Sequence, residues 1–312
     1  MDSRTVNRKV LEALIKSGAC DCFGETRATM FARIDRVLMR AAGIIQDRQR
    51  GQNTLFGMLE ERAEPSGEPE KQLPEWPQHE LLAQEKELLG FYVTGHPLTP
   101  YAPILEKYAV HTTSQLASLS NRAMTRIGGL VVDVQKGVSK KSGKPYATVL
   151  LEDLEGTVQI LCLNENHDKF LHLLVPKKAL LITGEVNLGD DKPKIFPQEI
   201  IALEDAPQVY TKQVHLRLQM AHLTAKDLEA ARDILSAHPG KGPSFLCLKW
   251  PAGEVIFIET HEKYRVKPSL ALQKAVDERF GEETYYAKVD TTLPQRAPRQ
   301  WEKKGFGGNG ED

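Results

Sequence analysis

Apolar positions recur at helical spacing through the first fifty residues. Val6, Val10, Leu11, Leu14 and Ile15 share one face and predict a helix over 4–17, ended at Gly18. Its start lies so close to Met1 that the chain reads equally as a natural beginning or as a cut inside a domain. Thr26 offers an N-cap for a second helical stretch. There Met30, Phe31, Ile34, Val37, Leu38, Ala41, Ala42 and Ile45 make a broad stripe, read as core. The opposite face carries Arg33, Arg36, Arg40, Arg48 and Arg50, which suit either phosphate contact or solvent. The pattern then breaks. Glutamates outnumber cations over 57–77, and Pro65, Pro69, Pro74 and Pro77 prevent a helix, so a mobile acidic linker is expected. Helical spacing returns over 78–91 with Leu81, Leu82, Leu88 and Leu89. Gly95-His96-Pro97-Leu98 reads as a turn, because the residue before proline is pushed out of the α region. A further helix is expected over 99–108.

From Thr125 the period changes to two. Strands are predicted at 126–135, 146–152, 158–163, 179–186 and 194–203, with a short helix at 164–174. Gly128 and Gly129 predict a bulge or sharp coil in the first strand. Five strands with a helix between the third and fourth is the order of an OB-fold barrel. Residues 206–292 read as strand, helix, two strands, helix, strand, a small βαββαβ unit. Thr224 and Asp227 resemble a capping box at its first helix. The glycine-rich tail after Pro294 is expected to be disordered. The fold class expected is therefore multidomain α+β. It comprises a helical region with a partner-binding peptide (1–56), an acidic linker (57–77), a helical connector (78–120), an OB-fold (121–205), the small α/β domain (206–292) and the tail (293–312).

Bulk composition narrows this little. The net charge is −1, with 41% hydrophobic and 27% charged residues, so nucleic-acid binding must rest on local clusters. The chain has four cysteines; Cys162 and Cys247 lie in apolar runs and read as buried thiols. Cys20 and Cys22 lack a second Cys/His pair at zinc spacing, so no metal is expected. A reducing, cytoplasmic setting fits, and no apolar run reaches the roughly 20 residues of a membrane span.

Two stretches carry candidate chemistry. Gln52-Asn53-Thr54-Leu55-Phe56 can act as an anchor peptide, with Leu55 and Phe56 filling an apolar pocket and the Gln52 amide at its rim; alternatively both apolar residues pack on their own domain. The loop 136–144 carries Lys136, Lys140, Lys141 and Lys144, followed by Tyr146. In an OB-fold this loop and the face of the second and third strands bind oligonucleotides, so these cations and the ring suit single-stranded DNA; the alternative is a solvated hairpin tip. Glu152-Asp153-Leu154-Glu155 falls at a turn between strands and reads as solvated rather than metal-binding. No Walker loop, G-x-S-x-G or H-E-x-x-H occurs, and no cofactor is implied.

The order of these features resembles the C-terminal third of the bacterial DNA polymerase III α subunit. Residues 6–19 resemble the end of that family's helix-hairpin-helix region, Gln52 to Phe56 its β sliding-clamp-binding motif, and Glu87 to Leu98 a family signature. The resemblance implies that Gln52, Leu55 and Phe56 meet the β sliding clamp. It implies that the OB-fold holds single-stranded template and that the last domain meets the τ subunit of the clamp loader. The family's catalytic aspartates lie in a palm domain that these residues do not contain, so this chain alone is expected to be inactive. The competing expectation is a stand-alone OB-fold nucleic-acid-binding protein with no part in replication.

Overall fold

A computed structural model of the chain describes residues 6–49, 72–140, 142–163, 165–189 and 192–295. These belong to two compact units, divided between Thr99 and Pro100.

The first unit holds α1 (Arg8–Lys16), α2 (Arg27–Ala32), α3 (Ile34–Gln49) and α4 (Gln78–Leu89). Asn7 and Thr26 cap α1 and α2 through their side-chain oxygens. Gly18 ends α1 at φ +83, and a Cβ there would lie 2.3 Å from the Arg27 guanidinium. The second helical stretch is two helices, and its apolar stripe is only partly core. Ile34 is buried, Leu38, Ala41 and Ile45 are half-buried, and Val37 is 54% exposed.

Ile15, Ala28, Ile34, Leu82 and Leu98 are buried in this unit together with one ion pair. Arg27 is 3% and Glu85 0% exposed, with Arg27 Nη2 3.0 Å from Glu85 Oε1. Glu85 also accepts the Val93 and Thr94 N–H groups at 2.8 and 3.0 Å and the Thr94 hydroxyl at 2.9 Å. Asp21 accepts Arg27 Nε and the same Nη2 at 2.9 and 2.7 Å. Burial alone would raise the Glu85 carboxyl. The Thr94 and Val93 donors and Arg27 outweigh it and hold the group below the usual carboxylate range. Thus one carboxylate on α4 fixes α2 and the turn over 90–98.

Residues 72–77, read from sequence as part of a mobile linker, are docked. The Leu73 N–H donates to Thr29 Oγ1 at 2.8 Å, and its carbonyl accepts the Thr26 hydroxyl at 2.9 Å. Glu75 accepts the Arg27 and Ala28 N–H groups at 2.7 and 3.1 Å, satisfying donors that the start of α2 leaves open. Trp76 packs edge-on against Phe31.

The second unit begins with α5 (Ala102–Tyr108) and continues into an OB-fold-like five-stranded sheet. Its strands are β1 (Met124–Val138), β2 (Pro145–Glu152), β3 (Thr157–Leu163), β4 (Ala179–Asn187) and β5 (Lys194–Ala202). They pair in the cyclic order β1-β2-β3-β5-β4, so the sheet closes on itself. Only β3 and β5 run parallel. Strand alternation fills the interior with Val131, Val149, Leu151, Ile160, Cys162, Ile182 and Ile195, and Phe170, at the end of α6 (Glu165–Phe170), joins them. The β1 bulge lies between Val131 and Asp133, beyond Gly128 and Gly129 where sequence placed it. Just before it, at Leu130, β1 passes from pairing with β4 to pairing with β2.

After α7 (Ala206–Tyr210) comes a four-stranded sheet of order β10-β6-β8-β9. It is made of β6 (Thr211–Gln219), β8 (Ser244–Lys249), β9 (Val255–Glu259) and β10 (Tyr285–Val289), with a short β7 (Pro239–Gly242) bridged to Val266. Helices α8 (Ala225–Ala237) and α9 (Leu270–Phe280) supply Ala231, Leu235, Leu272 and Val276 to a core with Val214, Leu216 and Ala287. Thr224 and Asp227 cap one another at the start of α8.

Arg126 joins the two sheets. It is 2% exposed, lies 3.7 Å over the Tyr210 ring, and donates to the Asp290 and Thr292 carbonyls at 2.9 and 3.0 Å.

Candidate nucleic-acid interface

The β1–β2 hairpin extends past the closed part of the sheet. Ser139 N–H donates to the Lys144 carbonyl at 2.9 Å and Gly143 N–H to the Ser139 carbonyl at 2.8 Å, closing the tip. Lys140 and Lys144 are exposed there, and neither ion-pairs among the described residues. Lys141 lies outside the described residues, as do Gln52, Leu55 and Phe56.

Register decides which side chains meet. Tyr146 stands opposite Gly137 and Leu163, and Lys136 stands opposite Ala147. Directly opposed residues share a face of the sheet, so Lys136 and Tyr146 project from opposite faces of the ribbon. The structure therefore does not bring all the sequence-predicted residues to one surface. Lys140 and Lys144 share the tip, Tyr146 lies on the outer face, and Lys136 lies on the other side.

The Tyr146 ring rests on Gly137. A Cβ at that position would approach the ring carbon Cζ to 2.7 Å. Glycine here lets the ring lie close against the strand instead of standing off it. Beside it on the outer face are Thr148, Leu161 and Leu163, with Leu150 and Gln159 one pair further on. Leu163 is exposed and Leu161 half-buried. Sequence reasoning that sought cations and rings missed this apolar strip. Its signal was present in the alternation of 158–163, where buried Val158, Ile160 and Cys162 leave Gln159, Leu161 and Leu163 to face outward. The strip offers apolar area to bases, Tyr146 a ring to stack on, and the lysine tip charge for phosphates.

The acidic turn at 152–155 is a structural knot, not a solvated string. Asp153 is 7% exposed and accepts the Thr113 N–H and hydroxyl at 2.7 and 2.6 Å and the Glu155 and Gly156 N–H groups at 2.8 Å each. Glu155 accepts the Ser114 and Thr112 hydroxyls, which hold its carboxyl below the usual range. Among the described residues, no group of three or more His, Cys, Asp or Glu could hold a metal ion, and no helix is long and apolar enough to cross a membrane. Burial pushes the Cys162 thiol up to about 12, so it is inert as a nucleophile.

Comparison with known proteins agrees with this geometry. The family described as tRNA_anti-codon, an OB-fold nucleic acid binding domain, matches residues 125–203. DNA polymerase III subunit alpha of Borreliella burgdorferi is 28% identical over 224 residues, 70% of this chain and 19% of that protein. The proteins of the same name from Pasteurella multocida and Escherichia coli O157:H7 are 26% and 29% identical over 285 and 241 residues, 90% and 76% of this chain. Those alignments cover 24% and 21% of the two proteins. This chain is thus similar to their C-terminal region and spans about a fifth to a quarter of their length. Among solved structures, the hypothetical protein ygiW from E. coli aligns with 30% of this chain and 88% of that one, at 21% identity and a TM-score of 0.23, too slight a likeness to carry weight.

Proposed function

We propose that this chain is the DNA-guiding and partner-docking part of a replicative DNA polymerase α subunit. The observation that carries this reading is the similarity to the C-terminal region of DNA polymerase III subunit alpha over 70–90% of the chain, combined with an OB-fold domain whose outer face and hairpin tip suit a single strand. Residues 121–205 hold single-stranded template on Tyr146, Leu161 and Leu163, while Lys140, Lys141 and Lys144 meet phosphates. Gln52, Leu55 and Phe56, after the end of a helix-hairpin-helix region, form the tether to the β sliding clamp. Burying Leu55 and Phe56 contributes about 3–6 kcal/mol before ordering costs, enough for a weak contact that avidity strengthens once DNA is bound. Residues 206–292 meet the τ subunit of the clamp loader. Nucleotide transfer belongs to parts of the polymerase outside these residues, and the setting is cytoplasmic.

The test is a titration of labelled single-stranded DNA at several salt concentrations, with Lys140→Glu/Lys144→Glu alongside. Binding should weaken steeply with salt, and losing two phosphate contacts should flatten the slope of log K against log salt by about 1.4. In parallel, Leu55→Ala/Phe56→Ala should abolish binding to immobilised sliding clamp while leaving DNA binding intact. Clamp-independent DNA binding with no effect of that double variant would favour the stand-alone OB-fold reading.

A further inference from the structure

The four-stranded sheet of the last domain has helices on one face only. The other face carries Tyr286 on β10, His215 and Arg217 on β6, Phe245 on β8 and Phe257 on β9. Register places them in two adjacent rows: Tyr286, His215 and Phe245 in one, Arg217, Cys247 and Phe257 in the next. Such rows are about 7 Å apart along the strands. His215 stacks on Phe245 at 5.1 Å and 16°, and meets Phe257 and Tyr286 edge-on at 5.8 and 5.9 Å. Arg217 lies 3.8 Å over the Tyr286 ring. Phe257 is 61% and Tyr286 42% exposed. His215, Phe257 and Tyr286 line a groove of about 710 Å³.

Charge surrounds the rings. Lys249 and Lys288 line the groove with Arg217, and none of the three has a carboxylate partner among the described residues. The carboxylates of the groove, Glu282 and Glu283, lie together just before Thr284, and Glu259 lies at the end of β9. Burial, Arg217 and Lys288 all lower the His215 pKa, so its imidazole stays neutral at physiological pH and presents a π face. A purely apolar protein-binding patch has no need of three cations without carboxylate partners among its rings. Stacked bases with charged phosphates between them use both.

We propose that this open sheet face is a second single-stranded nucleic-acid site, stacking bases on Phe257 and Tyr286 while Arg217, Lys249 and Lys288 hold the phosphates. It is separate from the hairpin of the OB-fold and does not depend on it.

The experiment uses the full chain carrying Lys140→Glu/Lys144→Glu, which silences the hairpin tip, and a fluorescein-labelled oligothymidylate at low salt. Residual binding is expected. Phe257→Ala/Tyr286→Ala should weaken it at least about tenfold, since stacking on each ring is worth roughly that much. Phe257→Tyr/Tyr286→Phe should restore it, and Lys249→Glu/Lys288→Glu should weaken it further. Both rings are exposed, so their truncation leaves the core intact, and circular dichroism checks this. An iododeoxyuridine oligonucleotide should photocrosslink to peptides containing Phe257 or Tyr286 in the unsubstituted chain. The proposal is overturned by the absence of residual binding in the hairpin variant, or by residual binding that the ring variants leave unchanged. If those ring variants instead abolish only binding to the clamp-loader τ subunit, the face belongs to a protein partner and the proposal is equally overturned. Failure here leaves the hairpin's salt slope untouched, so the two readings fail separately.

Discussion

Glu85→Ala should destabilise the first compact unit without touching the OB-fold sheet. Glu85 is fully buried and engages four donors: two N–H groups, one hydroxyl and the Arg27 guanidinium. Removing its carboxylate leaves Arg27 with Asp21 and the Lys16 carbonyl, and takes the acceptor from the Val93 and Thr94 N–H groups. Breaking one side of a buried ion pair costs about 3–5 kcal/mol, and the lost amide contacts fall within that figure because they belong to one network. Hydrogen exchange resolved by peptide is the suitable assay, since it reads each unit separately. Peptides from α1 and α4 should lose roughly 150- to 4,000-fold in protection, while peptides from β2 and β3 stay unchanged. A loss smaller than about fivefold would mean that water reaches the site or that the chain relaxes around the gap, and would refute the reasoning. Equal losses in both units would refute the division of the chain into units of separate stability.

The same group sets a pH dependence. Its folded pKa lies below the unfolded value of about 4.3, so its contribution is complete above that value and is lost as pH falls through the folded pKa. Glu85→Gln should therefore flatten the acid limb of the stability curve for the first unit, measured by urea unfolding at successive pH values. Gly137→Val should displace the Tyr146 ring and weaken oligonucleotide binding several-fold with little change in melting temperature, because the contact lies on the outer face. Arg126→Met keeps much of the volume over Tyr210 but strands the Asp290 and Thr292 carbonyls. A loss of about 1–3 kcal/mol in denaturant unfolding, with early exchange at residues 285–292, is expected.

Local patterns in the sequence were sufficient wherever the physics is local. Thr26 caps its helix through its own side chain, Gly18 ends α1, and the alternation over 158–163 assigns Val158, Ile160 and Cys162 to the interior. Each depends on neighbours within a few residues. The five-strand order with its helix was legible for the same reason, because period two and its interruptions are properties of short windows. Other features depended on partners far along the chain. Glu85 sits on a helix otherwise rich in polar residues and looks like a solvated carboxylate; only the packing of α2 and the turn over 90–98 buries it. Asp153 reads as a loop charge until Thr113, forty residues earlier, closes on it. Arg126 reads as a surface cation in a strand, yet its acceptors lie 164 and 166 residues away. The lysine loop shows the same division within one hairpin. Composition reveals its charge, but pairing register, offset by the bulge after Val131, decides that Lys136 and Tyr146 face opposite ways. Side-chain chemistry is written residue by residue, whereas which residues share a surface is set by hydrogen-bonded pairing between distant strands.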